Sequence, residues 1–127
     1  THTYQSEMPR PPKTKYRNRR IKTTDGWFDS KGEMCRWIFL KEAQKRGQIY
    51  DLQRQVSFDL SFDGWHICDY VADFTYRIPC PTKQGTDRFV VEDFKGILTD
   101  VFRLKSKMFR AVYGYHIKIV KSPSESP

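Results

Sequence analysis

A long predicted β-hairpin constrains the fold of this chain more than any other segment. Apolar and polar side chains alternate over residues 52–62, with Arg54 in the apolar register, which is the period of a strand with one buried face. Asp63-Gly64 then supplies a tight turn. The return strand, residues 65–78, is more evenly apolar, so we expect it to lie deeper in a sheet than its partner.

Two segments have the periodicity and the end signals of helices. Ser30-Lys31-Gly32-Glu33 fits a capping box and Gly47 follows the last turn, which predicts a helix over residues 30–46. A second helix is predicted between Thr99 as N-cap and Gly114 as stop signal. The side chains expected to share the packed faces are Met34, Trp37, Ile38 and Lys41 in the first helix and Val101, Leu104, Met108 and Val112 in the second.

The remaining elements complete an α/β fold. A small hairpin at Asp25-Gly26 precedes the first helix, and a loop over residues 79–87 leads to a third strand, residues 88–95, antiparallel to the second. The second helix then joins it to a final strand, residues 115–120, and a crossover of this length favours a parallel, right-handed connection. The predicted order is αβββαβ, a mixed four-stranded sheet with one helix on each face.

Basic charge is concentrated at the N-terminus. Residues 1–22 carry seven Lys or Arg and one acid, a net charge of +6, whereas the other 105 residues carry only +2. Such an arm is typical of proteins that bind a polyanion, although a solvated charge run has the same composition. We therefore expect three parts: a largely disordered arm (1–22), one folded domain (23–121) and a disordered tail (122–127). The candidate phosphate contacts are Lys13, Lys15, Arg17, Arg19, Arg20 and Lys22.

Several other classes of protein are disfavoured. No run of apolar residues approaches the length of a membrane span, and the N-terminus shows no export signal. Three cysteines without close spacing indicate reduced thiols in a cytoplasmic protein, and three scattered histidines do not suggest a ligand cluster.

Charged residues interrupt the two central strands. Asp93 and Lys95 are two positions apart and share a face, and Asp73 can lie beside Asp93 if their strands pair antiparallel. Two converging carboxylates repel unless a proton or a cation lies between them, and a hard divalent cation prefers such oxygen ligands. A cross-strand Asp–Lys ion pair is the alternative, structural interpretation.

Asp73 followed by Asp93-Phe94-Lys95 in an αβββαβ chain resembles the PD-(D/E)XK nuclease superfamily, the restriction-endonuclease-like fold. From about residue 13 to 121 the chain is also similar to small phage-encoded proteins grouped with Holliday-junction resolvase-like nucleases. This resemblance implies that Asp73 and Asp93 bind a metal ion, that the backbone carbonyl of Phe94 adds an oxygen ligand, and that Lys95 is the catalytic lysine. Ala72 stands where the motif's name has proline.

Two further site residues follow from the resemblance, each with a structural alternative. Glu33 matches an acidic position that many members use as a metal ligand or to position water, but the capping box also explains a glutamate there. Gln55 matches a polar position near the site, and is otherwise a solvent-facing strand residue. Lys105 and Lys107 could contact phosphate, or lie on a solvated helix face.

The resulting expectation is a Mg²⁺-dependent DNA endonuclease, with Mn²⁺ as a substitute, located in the cytoplasm (that of the host, if phage-encoded). Its substrate would be chosen by shape, as a four-way junction or another branch, because no recognition helix is evident. Two paired cuts favour a homodimer. The alternatives are a nuclease with nicking or end-processing specificity and a non-catalytic nucleic-acid-binding protein.

Overall fold

The computed structural model describes residues 20–127, so the predictions for Lys13, Lys15, Arg17 and Arg19 lie outside the described residues. In chain order the elements are β1 (Ile21–Thr23), β2 (Gly26–Phe28), α1 (Lys31–Lys45), β3 (Tyr50–Phe62), β4 (Trp65–Ile78), β5 (Arg88–Phe94), α2 (Asp100–Tyr113) and β6 (Ile117–Val120). β1 and β2 form the small antiparallel hairpin that was expected before α1.

The other four strands form one mixed sheet in the order β3-β4-β5-β6. β3, β4 and β5 pair antiparallel and β5 pairs parallel with β6, as the crossover through α2 predicts. Val90 packs in one hydrophobic cluster with Leu40 of α1, and its neighbour Val91 packs in another with Phe109 of α2. Because consecutive strand residues point to opposite faces, the two helices cover opposite faces of the sheet.

The long hairpin contributes to both cores. Residues 58–60 and 68–72 supply side chains to the cluster beneath α2, whereas Phe74 and Tyr76 join the cluster beneath α1. β3 keeps the predicted alternation of burial over residues 51–60, although Gln55 has a positive φ of 54°. The apolar side chains of one hairpin thus join the cluster beneath α2 near its tip and the cluster beneath α1 near its base.

The predicted packing faces of the helices are partly wrong. The fully buried side chains of α1 are Glu33, Arg36, Leu40 and Ala43. Trp37 packs against the core as predicted, but Ile38 is exposed, because the buried Arg36 occupies the centre of this face and hydrophobicity alone does not reveal it.

In α2 the structure places Phe102 and Phe109 in the core, while Val101 and Leu104 are 65% and 60% exposed and Val112 also faces solvent. Met108 packs against the core at its edge. The two phenylalanines are seven residues apart, two helical turns, and their larger area determines which side of the helix is buried.

Residues 122–127, predicted to be a disordered tail, form a turn against the α1 side of the sheet. The guanidinium of Arg36 donates to the carbonyl of Pro123 at 3.0 Å, and Lys118 Nζ donates to the carbonyl of Ser126 at 2.7 Å. No helix in the described part of the chain is long and apolar enough to cross a membrane.

Candidate metal centre

Asp73 and Asp93 are brought together by the pairing of β4 with β5. Phe74 pairs with Glu92, so the next step of this antiparallel register sets Asp73 opposite Asp93. Their carboxyl groups hydrogen bond to each other, and the backbone N–H of Phe94 donates to Asp73 Oδ2 at 2.9 Å. Asp93 is 1% exposed and also accepts a hydrogen bond from the Tyr70 hydroxyl. The side-by-side arrangement predicted from the sequence is present.

Burial of these carboxyl groups makes their ionised forms unfavourable. Burial first, and then the charge of Asp73, raises the pKa of Asp93 to about 8. Burial also raises the pKa of Asp73, although the hydrogen bonds from Asp93 and from the Phe94 N–H oppose the shift. The pair therefore holds a proton at a pH where an ordinary carboxyl group has lost it.

Glu33 reaches the same region from the first turn of α1. Its backbone N–H donates to Ser30 Oγ at 3.2 Å, and its Oε1 accepts from the Asp29 N–H at 2.9 Å. This capping geometry was one of the two interpretations of Glu33. It is compatible with the second interpretation, a metal ligand or a residue that positions water, because burial and the charge of Asp73 raise the pKa of Glu33 to about 8. A carboxyl group that only capped the helix would not be so strongly influenced by Asp73.

Gly32 allows α1 to approach the end of β5 closely. A Cβ at this position would lie 2.5 Å from the ring of Phe94, well inside van der Waals contact. A glycine inside a helix costs roughly 0.5–1 kcal/mol relative to alanine, so its presence here needs a reason. The close approach supplies one, since it brings the start of α1, and with it Glu33, towards the two aspartates.

Gln55 is an exposed residue of β3 whose side-chain amide reaches this centre. It is opposite Asp73 in the register of β3 with β4, and its Nε2 donates to Glu33 Oε2 at 3.3 Å. Its left-handed backbone is unusual for a residue other than glycine, and such strain is concentrated at functional sites. Both interpretations of Gln55 therefore stand, because the residue is exposed and its side chain also contacts Glu33.

Lys95 follows the last residue of β5, so the strand ends one residue earlier than predicted. Its backbone N–H donates to the carbonyl of Val120 at 3.0 Å, which fixes the chain beside β6. Its Nζ lies 4.0 Å from Asp93 Oδ1 and 4.7 Å from the centre of the Phe102 ring. The ammonium group thus stands at the edge of the carboxylates, too far from them for a close ion pair.

These side chains have the chemistry of a divalent-cation site. Glu33, Asp73 and Asp93 offer carboxylate oxygens from one helix and two strands, the hard ligands that Mg²⁺ and Mn²⁺ prefer. In this structure the oxygens of the three side chains do not all lie within 4.8 Å of one another. A bound cation would replace the proton that the aspartate pair otherwise holds. This group of side chains contains no histidine or cysteine.

A buried ion pair ties α1 to β5 behind the centre. Arg36 Nε and Nη2 donate to the two carboxylate oxygens of Glu92 at 2.6 and 2.9 Å, and both side chains are fully buried. The Tyr76 hydroxyl also donates to Glu92 at 2.6 Å. Glu92 faces α1 while Asp93 faces α2, as the alternation of β5 predicts, so the pair braces the elements that carry Glu33 and Asp93 without entering the centre.

Other predicted contact residues lie elsewhere. Arg20 forms an ion pair with Asp29 at 2.5 Å, and Lys22 Nζ lies 5.9 Å from the centre of the Trp27 ring. Lys105 Nζ donates to the Asp69 carbonyl at 2.9 Å, whereas Lys107 is exposed.

The sequence did not reveal two features. Tyr70 contacts Asp93, and its position three residues before Asp73 was the only available signal. The second feature is a group on the exposed hairpin: Asp59, His66 and Asp69 present ligand atoms within 4.8 Å of one another. The scattered histidines did not suggest this group, because the pairing of Asp59 with Asp69 could not be read from spacing. These side chains are solvated, so they require no ion.

Comparison with known proteins gives one match. A family model described as "Protein of unknown function (DUF1064)" matches residues 13–125, which include every residue of the centre. Neither the curated proteins nor the solved structures contain a significant match.

Proposed function

This chain belongs to the DUF1064 family, and we propose that it is a metal-dependent endonuclease that hydrolyses phosphodiester bonds in DNA. The observation that carries the proposal is the pair formed by Asp93, which is buried, and Asp73, which is partly exposed. Two carboxyl groups, one of them with its pKa raised to about 8, are set opposite each other inside a sheet where an apolar pair would be more stable. Such an arrangement favours a role that uses the carboxylates.

The residues fit Mg²⁺, with Mn²⁺ as a substitute. Asp73 and Asp93 would hold the ion, with Glu33 and the carbonyl of Phe94 as further oxygen ligands. When bound, the cation supplies Lewis-acid stabilisation of negative charge on the phosphate. Gln55, through its hydrogen bond to Glu33, would orient that carboxylate towards the ion.

Lys95 would act on the water or on the phosphate. Its ammonium group lies 4.0 Å from Asp93 Oδ1, which places it beside the carboxylates. There it can orient the attacking water, or stabilise the charge that develops on the phosphate oxygens. The ring of Phe102 beneath it shields one side from water and stabilises the cation.

The architecture supports the finer fold assignment. A mixed four-stranded sheet flanked by helices, with the acidic residues on adjacent central strands and a glutamate on the first helix, is the arrangement that the PD-(D/E)XK resemblance implies. We therefore propose a restriction-endonuclease-like fold. Ala72 in place of the motif's proline does not alter the ligands.

The proposed substrate is branched DNA, with the four-way junction as the leading candidate. Neither helix of the described chain stands apart from the sheet as a recognition helix would, which favours recognition of shape over base edges. Two paired cuts need two centres, and a homodimer would supply them.

A panel of labelled linear, forked and four-way DNAs, incubated with Mg²⁺, Mn²⁺, Ca²⁺ or EDTA, tests the proposal. Cleavage with Mg²⁺ or Mn²⁺ but not EDTA is expected, with the four-way junction cut faster than a linear duplex of the same sequence. Equal rates on all DNAs would favour a nicking or end-processing nuclease. Binding without cleavage under every condition would favour a non-catalytic nucleic-acid-binding protein and contradict the proposal.

A further inference from the structure

A second polar region lies at the opposite end of β5 from the acidic centre. A cavity of about 430 Å³ opens where β4 ends and β5 and β6 begin. From Arg88 to Asp93 the strand advances five residues, so the cavity is about 17 Å from the centre at the rise of an extended strand.

The lining of the cavity is strongly basic. Arg77, Arg88 and Lys118 contribute three basic side chains against the single carboxylate of Asp87. That carboxylate is already occupied, because it accepts hydrogen bonds from the Tyr50 hydroxyl and from the Cys80 N–H. The cavity therefore has a net positive charge and donors to spare.

The cations differ in how fully they are engaged. Arg77 stacks over the Phe89 ring at 4.8 Å and lies 4.0 Å from Asp51, and Lys118 donates to the backbone oxygens of Ser126 and Pro127 in the tail. Arg88 is exposed and has no hydrogen-bond or ion-pair partner among residues 20–127. An unpaired arginine at the mouth of a basic cavity is suited to an incoming oxyanion.

Two more side chains add a hydrogen-bond donor and an aromatic surface to the basic cavity. Arg110 Nη1 donates to His116 Nδ1 at 2.6 Å, which leaves Nε2 as the protonated nitrogen and hence a further donor. Tyr115 is 43% exposed and packs edge-on against Phe89, so it presents an aromatic surface beside the cations. Basic groups interleaved with an exposed ring suit a phosphate and its attached sugar or base.

We propose that this cavity binds a backbone phosphate of the nucleic-acid substrate, away from the bond that is cut. The assignment to nucleic acid rests on the function proposed above. At 3.4 Å of axial rise per nucleotide, 17 Å corresponds to about five nucleotides of one strand. A substrate held at the acidic centre is thus long enough to reach the cavity within half a helical turn.

Arg88→Gln tests the inference, because the exposed side chain can be changed without disturbing the core. The measurement is DNA affinity at several salt concentrations, with Ca²⁺ in place of Mg²⁺. The slope of log affinity against log salt should flatten by up to about 0.9, the value for the loss of one phosphate contact, and Arg77→Gln/Arg88→Gln should not flatten it beyond that value. Lys45→Gln, which removes one charge from an exposed position of α1 outside the cavity, should leave the slope unchanged.

The possible outcomes separate this inference from the proposed nuclease activity. Flattened slopes in a protein that never cleaves DNA would support the cavity and contradict the nuclease. Cleavage by wild type, with slopes in both cavity variants equal to those of wild type, would overturn the cavity assignment alone. A wild-type protein that binds no DNA would contradict both.

Titration with a nucleoside monophosphate identifies the source of the phosphate. We expect weak binding that Arg88→Gln reduces in parallel with DNA affinity. Loss of mononucleotide binding in Arg88→Gln, with DNA affinity and its salt slope unchanged, would show a small-molecule site and overturn the assignment to the nucleic-acid backbone.

Discussion

Asp73 and Asp93 stand opposite each other across β4 and β5 and share a hydrogen bond between their carboxyl groups. The neighbouring pair on the other face of β5 is different, since Glu92 there is neutralised by Arg36 at 2.6 Å. One strand therefore carries, at successive positions, a carboxylate with a close counter-charge and one whose ammonium neighbour, Lys95, is 4.0 Å away. This contrast separates a structural acid from one held for a ligand.

The first prediction uses that contrast. Asp73→Asn or Asp93→Asn should leave the melting temperature of the metal-free protein unchanged or raised at pH 8, because each removes one of two repelling charges. Glu92→Gln is the matched control: it leaves Arg36 buried without its counter-charge and should destabilise the fold by about 3 kcal/mol or more. Thermal or urea unfolding measures all three. A loss in Asp93→Asn as large as that in Glu92→Gln would show that Asp93 is structural.

The second prediction concerns pH. Because the folded protein holds protons on Glu33 and Asp93 up to a pKa of about 8, it binds more protons than the unfolded chain between about pH 4 and 8. The free energy of unfolding of the metal-free protein should therefore decrease as pH rises through this window. In Asp93→Asn the decrease should be shallower.

Melting temperatures at half-unit steps from pH 5.5 to 8.5 measure this effect. The lower limit matters because the pKa values of Asp25, Asp59 and Asp87 are lowered by hydrogen bonds, and their contributions change only in more acidic solution. Added Mg²⁺ should stabilise the wild type most at the alkaline end, where the ligands lose their protons most easily. Stability that rises with pH, equally in wild type and Asp93→Asn, would contradict the buried-acid account.

The third prediction tests the two roles of Glu33. Glutamine also serves in a capping box, so Glu33→Gln should leave the melting temperature near that of wild type. If Glu33 also binds the cation, the substitution should weaken Mg²⁺ stabilisation and lower cleavage at least tenfold, the scale reported for lost supporting contacts at metal sites. Full activity at limiting Mg²⁺ would confine Glu33 to the helix cap.

Much of the fold could be predicted from the sequence because local signals agreed with one another. Ser30 and Thr99 are the N-caps of the two helices, and Asp63-Gly64 turns the hairpin. The crossover through α2 gives the parallel pairing of β5 with β6. The sequence pattern was sufficient to predict an element wherever interactions within a few residues determine its structure.

Prediction failed where distant residues decide the outcome. The buried face of α1 is centred on Arg36, whose partner Glu92 is 56 residues away. The positive φ of Gln55 and the contact of Tyr70 with Asp93 likewise depend on tertiary packing. Asp73 and Asp93 could be expected together only because an antiparallel pairing was already predicted.

The fourth prediction concerns the approach of α1 to β5. Gly32→Ala should favour the helix by roughly 0.5–1 kcal/mol on propensity, but its Cβ would overlap the Phe94 ring. Relief must come from moving that ring or the first turn of α1, and either displaces a residue of the centre. We expect cleavage to fall more than stability.

A double variant provides the control. Phe94→Leu removes the ring atoms that a Cβ at position 32 would meet, so Gly32→Ala/Phe94→Leu should recover part of the Mg²⁺ stabilisation that Gly32→Ala loses. Mg²⁺-dependent melting of the four proteins completes the cycle. If the losses of Mg²⁺ stabilisation in the two single variants simply add in the double variant, the contact between position 32 and Phe94 does not position Glu33.

The fifth prediction separates ligand from catalyst. Lys95→Ala should abolish detectable cleavage and retain Mg²⁺ stabilisation, because an ammonium group is not a metal ligand. Asp93→Asn should lose both. If Lys95 were only the ion-pair partner of Asp93, its removal would instead destabilise the protein. Cleavage and Mg²⁺ stabilisation would then be lost together.

Cleavage of a labelled four-way junction by wild type and Asp93→Asn, in Mg²⁺ and in EDTA, tests the central claim most directly. The account predicts paired cuts by wild type in Mg²⁺ alone, and no cuts by a folded Asp93→Asn protein that still binds the junction. Cleavage retained in Asp93→Asn, or undiminished in EDTA, would contradict it.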